Sequence, residues 1–321
     1  MRVLITGALG FVGRHLTSLC AQSGATVIGA GRPVGAHEPP TGLDRYLELD
    51  LRDASATRAC MRAARPERVF HLAAEASVAA SWSHPGGVLV NNVSTTANVL
   101  DAVMELAPEA RVLTACSGDE YGPVAGERLP VTEQHPLRPQ SPYAVSKAAA
   151  DLLAGFYADA HGLTVLRARA FNHAGPGQGA AYVVASLARQ IAAAEATGQT
   201  RLEVVTGNLC VRRDFADVRD VVRAYWLALE RSATAGAYNV CSGESVAVAD
   251  ILATLDSETG LEVVQRTDDS LVRAREVLEI RGSHAKLTEA TGWEPEIPLA
   301  QTLRDTLDLW REQARAEERR G

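Results

Sequence analysis

The chain has 321 residues, 46% apolar and 22% charged, with a formal net charge of −7. That length suits one large domain or two closely joined lobes, and the acidic balance excludes a general basic field for nucleic acid or an anionic membrane. No apolar run approaches the roughly 20 residues that span a bilayer. The N-terminus reads directly as a strand rather than a signal peptide. The scattered Cys20, Cys60, Cys116, Cys210 and Cys241 form no C-x-x-C pair, which points to a reducing cytoplasm and away from a disulfide frame or zinc site.

Arg2 to Thr6 is a short apolar run suited to a buried parallel strand. Gly7-Ala8-Leu9-Gly10-Phe11-Val12-Gly13 follows, then a helical pattern to about Ser23. Further strands are expected at Ala25–Ala30, Glu67–Leu72, Ala110–Ala115 and Thr164–Ala170, with helices at Ala54–Ala64, Asn92–Leu106 and Tyr143–Gly162. This alternation predicts an α/β protein with a parallel sheet and right-handed crossovers. After Phe171 the pattern loosens. Gly175, Pro176, Gly177 and Gly179 mark a loop, and helices are expected at Val183–Ala196 and Asp217–Glu230. Ala237–Cys241 reads as a strand that returns to the main sheet. Shorter helices follow around Ala247–Thr259, Ser283–Thr291 and Leu299–Arg320. The first lobe is therefore placed at 1–171 with about 215–241, and a second, discontinuous α/β lobe at 172–214 and 242–321.

Gly7, Gly10 and Gly13 sit at a strand-to-helix turn, where backbone amides can approach a pyrophosphate at the positive helix end. An acid near the end of the second strand would bind the 2′-hydroxyl of NAD. Val27-Ile28-Gly29-Ala30-Gly31-Arg32 has none, and Arg32 suits a 2′-phosphate, so NADP (as NADPH) is preferred with NAD possible. A plain surface charge would also account for Arg32. Asp50-Leu51 lies where a third strand would end and is a candidate adenine contact, although Asp50 equally suits a helix cap.

Tyr143 and Lys147 share one helix face. A cation beside a phenol favours phenolate and lowers its pKa from about 10, which would make Tyr143 a proton donor or acceptor near neutral pH. Alone, such a pair is explained as well by an amphipathic helix. Ser117, just past the Ala110–Ala115 strand, faces the ligand crevice of a parallel sheet.

The glycine loop, His71-Leu72-Ala73-Ala74, Asn92, Ser117 and Tyr143-x-x-x-Lys147 together resemble the extended short-chain dehydrogenase/reductases over about the first 171 residues. The resemblance implies a doubly wound Rossmann domain that binds NAD(P) and a smaller substrate-binding lobe. It makes Tyr143 the catalytic acid/base, Lys147 the ribose ligand and Ser117 the group that orients the substrate oxygen. Phe11, Val12, Leu72, Ala73, Ala74 and Asn92 would line the cofactor. Phe171-Asn172-His173-Ala174-Gly175-Pro176-Gly177-Gln178, Arg213-Asp214-Phe215 and Tyr238-Asn239-Val240-Cys241-Ser242-Gly243 are similar to the nucleotide-sugar branch. Arg281 to Leu287 and Thr291-Gly292-Trp293-Glu294-Pro295 are particularly similar to GDP-6-deoxy-4-keto-D-mannose reductases.

That likeness implies NAD(P)H-dependent reduction of the C4 ketone of a GDP-4-keto-6-deoxy-hexose, of the GDP-D-rhamnose type. Planar guanidinium suits phosphate, and Arg213 and Arg273 are the expected diphosphate ligands. Glu276 fits a ribose or base contact, Arg189 and Val183 the nucleotide, Asn172 the sugar diphosphate, and Ser77, Asp119 and Glu120 the sugar. Ala274 departs from the family's Pro after Arg273. A homodimer or higher homo-oligomer through the Asn92–Leu106 and Tyr143–Gly162 helices is also implied, and no metal-ligand cluster is expected. The rivals are a 4-epimerase or 4,6-dehydratase with the same triad and, outside enzymes, an NADP-sensing binding protein. Related dehydratases place an acid and a Glu where this chain has Gly118 and Asp119. Gly118 cannot protonate a leaving hydroxyl, which favours reduction.

Overall fold

The computed structural model of the chain describes residues 1–33, 39–231, 234–268 and 277–319. The chain runs β1 (Arg2–Thr6), α1 (Phe11–Gln22), β2 (Thr26–Gly31), β3 (Arg45–Glu48), α2 (Ala54–Ala64), β4 (Arg68–His71), α3 (Val78–Ser81), α4 (Pro85–Leu106) and β5 (Arg111–Ser117). Then come α5 (Pro142–His161), β6 (Val165–Ala170), β7 (Asn172–Ala174), α6 (Val183–Ala196), β8 (Arg201–Thr206), β9 (Arg212–Asp217), α7 (Val218–Arg231) and β10 (Gly236–Val240). The remainder is β11 (Ser245–Ala247), α8 (Val248–Ser257), β12 (Glu262–Thr267), β13 (Glu279–Ile280), α9 (Ala285–Thr291) and α10 (Leu299–Glu318).

Seven parallel strands form the main sheet in the order β10-β6-β5-β4-β1-β2-β3. Alternation along β1 sends Val3 and Ile5 to one face, where α1 and α7 cover them with Leu16, Val221 and Tyr225. Leu4 points to the other face, under Met61 of α2 and Leu100 of α4. Strand order reverses between β1 and β4, so a crevice opens at their carboxyl ends. The helix that carries Tyr143 has a defined start and stop. Ser141 accepts the Ala144 N–H at 3.1 Å, Pro142 occupies the first turn, and Gly162 closes α5 at φ 69°.

The expected strand at 237–241 joins the main sheet as β10, parallel to β6. Two features differ from expectation. α4 begins at Pro85, seven residues before Asn92, because Pro at the first turn starts a helix that Gly86 and Gly87 disguise. Trp293 and Leu287, read as second-lobe residues, are fully buried in the core under β1, where the Trp293 indole N–H donates to the Asp220 carbonyl at 3.0 Å.

Beyond the crevice, β9 is the centre of a small sheet with β11, β13 and β7. β8 and β12 form a separate parallel pair. Short length and charge hide these strands from periodicity; β9 reads Arg-Arg-Asp-Phe-Ala-Asp. α6, α8 and α10 pack around Leu187, Ile191, Phe215, Ile251 and Leu307. Asp214, 0% exposed, pins β9 in place. Its carboxylate accepts the Ser242 N–H and hydroxyl (2.7 and 2.6 Å) and the Gly243 and Gly282 N–H groups (each 3.1 Å). Replacing Asp214 by Ala strands several buried donors, and urea unfolding is expected to show a loss of about 3–5 kcal/mol.

Candidate active site

Gly7 sits at φ +73°, and a Cβ there would lie 2.9 Å from the Ala73 nitrogen, so the loops after β1 and β4 meet at the crevice. A Cβ on Gly13 would lie 2.2 Å from the Gly7 oxygen. Gly10 begins α1 without a side-chain cap, and the first turn holds no acid. α2, by contrast, starts on Asp53, which accepts from Ser55 and Ala56 N–H. The first-turn amides of α1 are thus left for an anion, which fits the pyrophosphate of a dinucleotide.

A buried chain of hydrogen bonds holds this region. Thr6 Oγ1 accepts the Ala73 N–H at 3.3 Å and meets His71 Nδ1 at 2.8 Å. His71 Nε2 lies 3.2 Å from Thr96 Oγ1, whose hydroxyl donates to the Asn92 carbonyl at 2.8 Å. Because Thr96 spends its proton on Asn92, the neutral His71 carries its own on Nε2 and accepts at Nδ1. Burial, followed by the Lys147 charge, pushes His71 down to about 3.

Asn92 is buried and its carboxamide is filled. Oδ1 accepts from Glu75 N–H (2.8 Å) and Asn91 (3.0 Å), while Nδ2 donates to the Glu75 carbonyl (3.1 Å) and Ser146 Oγ (2.8 Å). Ser146 donates in turn to the Tyr143 carbonyl at 2.7 Å. Asn92 therefore shapes the crevice through its neighbours instead of offering a free amide to a cofactor. Sequence reading passed over Ser146, although its place three residues after Tyr143 was the available signal.

Ser117 ends β5 and caps a 3-10 turn, Gly118–Tyr121, accepting the Asp119 N–H on Oγ at 3.2 Å. Its hydroxyl stands beside the Tyr143 phenol and acts to lower the phenol's pKa. Lys147, 7% exposed, donates from Nζ to the Ala115 carbonyl at 2.7 Å. Ser117, Tyr143 and Lys147 are thus gathered at the carboxyl end of β5, as the motifs predict. The expected lowering of the Tyr143 pKa does not occur. Burial, then the Asp119 charge, raise the phenol above its ordinary value, and burial lowers Lys147. Desolvation outweighs the cation one turn away. Tyr182, which precedes α6 and is 42% exposed, also acts on Tyr143; nothing in its sequence context marked it.

Several expected contacts are otherwise engaged. Asp50 grips Arg52 (2.5–3.0 Å), whose guanidinium and N–H hold its carboxyl down to about 2. Asp53, not Asp50, caps α2. Leu51 is buried and its carbonyl accepts from Asn98 at 2.8 Å. Ser77 caps α3, accepting the Ala80 N–H at 3.1 Å. Glu120 is fully buried and cannot touch a sugar. Arg32 is exposed past β2 and reaches Asp50 electrostatically. Asn172 lies on β7, Val183 and the exposed Arg189 on α6, and the partly buried Arg213 on β9 donates to the Arg212 carbonyl at 2.9 Å. Arg273 and Glu276 lie outside the described residues.

The buried neutral His71 has a stability consequence. Its folded pKa lies below the unfolded value of about 6.5, so the unfolded chain binds the extra proton, and stability falls as pH drops below about 6.5 toward 3. The expected slope is about 1.4 kcal/mol per pH unit below about pH 6. Denaturant melts at several pH values check it, with His71→Gln expected to remove that component.

A family model described as GDP-mannose 4,6 dehydratase matches residues 4–306. A GDP-6-deoxy-D-mannose reductase of Pseudomonas aeruginosa is 38% identical, covering 98% of this chain and 99% of the relative. GDP-mannose 4,6 dehydratase 1 of Arabidopsis thaliana is 28% identical over 95% and 88%. Among solved structures, RMD from Pseudomonas aeruginosa complexed with NADPH superposes with a TM-score of 0.80 at 36% identity, covering 98% of this chain and 100% of that one. A UDP-glucose 4-epimerase of Thermus thermophilus in complex with NAD gives a TM-score of 0.84 at 30% identity, over 97% and 99%. With the match running through nearly its whole length, the chain belongs to the GDP-mannose 4,6-dehydratase family, within the nucleotide-sugar branch of the extended short-chain dehydrogenase/reductases.

Proposed function

We propose that the protein is an NADPH-dependent oxidoreductase that reduces the C4 ketone of a GDP-4-keto-6-deoxy-hexose to the GDP-6-deoxy-hexose, with NAD(H) as a possible second cofactor. The observation that carries this reading is the half-buried Tyr143 beside Ser117, its phenol raised by desolvation. A phenol that keeps its proton at neutral pH is a donor, which is what a ketone gaining hydride requires. Bound NADPH supplies the hydride. Tyr143 delivers its proton to the C4 oxygen, the Ser117 hydroxyl orients that oxygen, and Lys147 is the cation nearest along the helix face to balance the phenolate left behind. Arg32 faces the 2′-phosphate. Arg213, Arg189 and Asn172 hold the sugar nucleotide, with Arg273 and Glu276 proposed beside them from sequence alone.

Room at residue 118 supports reduction over dehydration. Gly118 carries no acid for a leaving hydroxyl, and a Cβ there would press on the Phe171 ring at 3.0 Å, so a larger side chain would require the ring to give way. Asp119, close enough to raise Tyr143, favours elimination as the second reading. In the assay, NADPH and GDP-4-keto-6-deoxymannose are expected to lose absorbance near about 340 nm, the reduced nicotinamide band. Tyr143→Phe is expected to slow that loss by about 10²–10⁴. Product from GDP-mannose without net NADPH consumption would establish the dehydratase reading instead. Arg32→Ala is expected to raise KM for NADPH about tenfold while leaving KM for NADH in place.

The same reading includes a homodimer in the cytoplasm. Val90 (63%) on α4 and Val145, Leu152 and Phe156 (43%, 63% and 56%) on α5 leave large apolar side chains exposed. These helices pack side by side, so one surface of this kind can be covered by its copy. All five cysteines are free thiols, which suits a reducing compartment. Light scattering is expected to give twice the chain mass, and Leu152→Glu with Phe156→Glu to halve it.

A further inference from the structure

Beneath the Ser117–Tyr143 pair lies a cluster of ionisable groups that the reaction does not consume. Glu120 is fully buried in the turn after β5. Its Oε1 accepts the Ser117 N–H at 2.7 Å, while its buried Oε2 accepts no hydrogen bond. Around it stand Cys116 on β5, Lys147 and Asp151 on α5, and Arg169 on β6. The ligand atoms of Cys116, Glu120 and Asp151 lie within 4.8 Å of one another. Arg169 engages the Asp151 carboxylate, donating to both oxygens at 2.8 and 3.0 Å. Arg169 Nε stands 3.7 Å from Glu120 Oε2, outside hydrogen-bond reach. Burial, then the Asp151 carboxylate, push the Glu120 acid well above its usual range.

We propose that Glu120 is a positioning residue for Ser117, its Oε1 fixing the Ser117 peptide so that the hydroxyl stays aimed at Tyr143 and the reacting oxygen. The inference rests on the reading of Ser117 as the group that orients the ketone. Two reciprocal bonds define the Ser117 backbone, the N–H to Oε1 and Oγ from the Asp119 N–H. With Oγ accepting there, its proton is free for Tyr143. Only the acceptor oxygen is needed, so a neutral amide can replace the acid, whereas an apolar side chain would leave a buried N–H unpaired. Glu120 itself touches neither cofactor nor substrate.

Ketone reduction is measured for Glu120→Gln, Glu120→Leu and Glu120→Asp, each also in a Ser117→Ala background. The Gln variant is expected to keep kcat within about threefold. The Leu variant is expected to lose about tenfold or more in kcat, with KM for the sugar nucleotide and for NADPH unchanged. Glu120→Asp withdraws the acceptor by one methylene and is expected to follow Leu, which keeps the test open if the Leu variant does not fold. With Ser117→Ala, the further loss is expected to vanish, since the residue through which Glu120 acts is gone. Equal losses for Gln and Leu, wild-type kcat in both Leu and Asp, or a full additional loss in the Ser117→Ala background overturns the proposal. In protein labelled with 15N-serine, the Ser117 amide proton is expected downfield in wild type and Gln and upfield in Leu or Asp. An unmoved resonance overturns the proposal without any substrate. A wild type that reduces no ketone counts separately, against the reductase reading.

Discussion

The Asn92 carboxamide is the constraint on which the active-site crevice depends. All four of its hydrogen-bonding positions are used, and they tie α4 to the segment after β4 on one side and to Ser146 on α5 on the other. Through Ser146 the same network reaches the Tyr143 carbonyl. Through Thr96 and His71 it reaches Thr6 and so the strand that leads into the glycine loop. The dinucleotide side and the proton-donating side are thereby held by one buried network. Such a network is rigid only when every member is satisfied, which is the case along this path.

Dryness sets the chemistry. The crevice raises the Tyr143 phenol and lowers the Lys147 ammonium and the His71 imidazole. In each case burial disfavours the charged form and is the largest cause. A reductase benefits from this arrangement because its phenol starts protonated and loses its proton only as negative charge grows on the substrate oxygen. The raised Tyr143 and the missing acid at Gly118 point to the same reaction class, one from electrostatics and the other from the absence of a side chain.

The smaller sheet serves the main one through a shared seam. Val131 donates to the Arg281 carbonyl and accepts from Ser283 N–H, both at 2.8 Å. Tyr121, Val131, Phe171, Cys241 and Ile280 bury one apolar cluster there. Asp214 completes the seam from β9. Among the described residues expected to meet the sugar nucleotide, Asn172 on β7 and Arg213 on β9 stand on paired strands of the smaller sheet rather than on free loops.

The sequence by itself determined the parallel α/β architecture, the glycine turn, the Tyr143–Lys147 helix and the return of β10. These are local signals: strand and helix periods, caps and glycine positions act over a few residues. The small sheet around β9 escaped because its strands are short and charged and are stabilised by partners more than 30 residues away. Burial decided most of the rest. It made Glu120 an interior acid instead of a sugar contact, placed Trp293 in the first core, and turned the expected fall in the Tyr143 pKa into a rise, while an exposed ion pair took Asp50 for Arg52. Desolvation and hydrogen-bond satisfaction depend on every element packed around a group, which only the tertiary structure brings together.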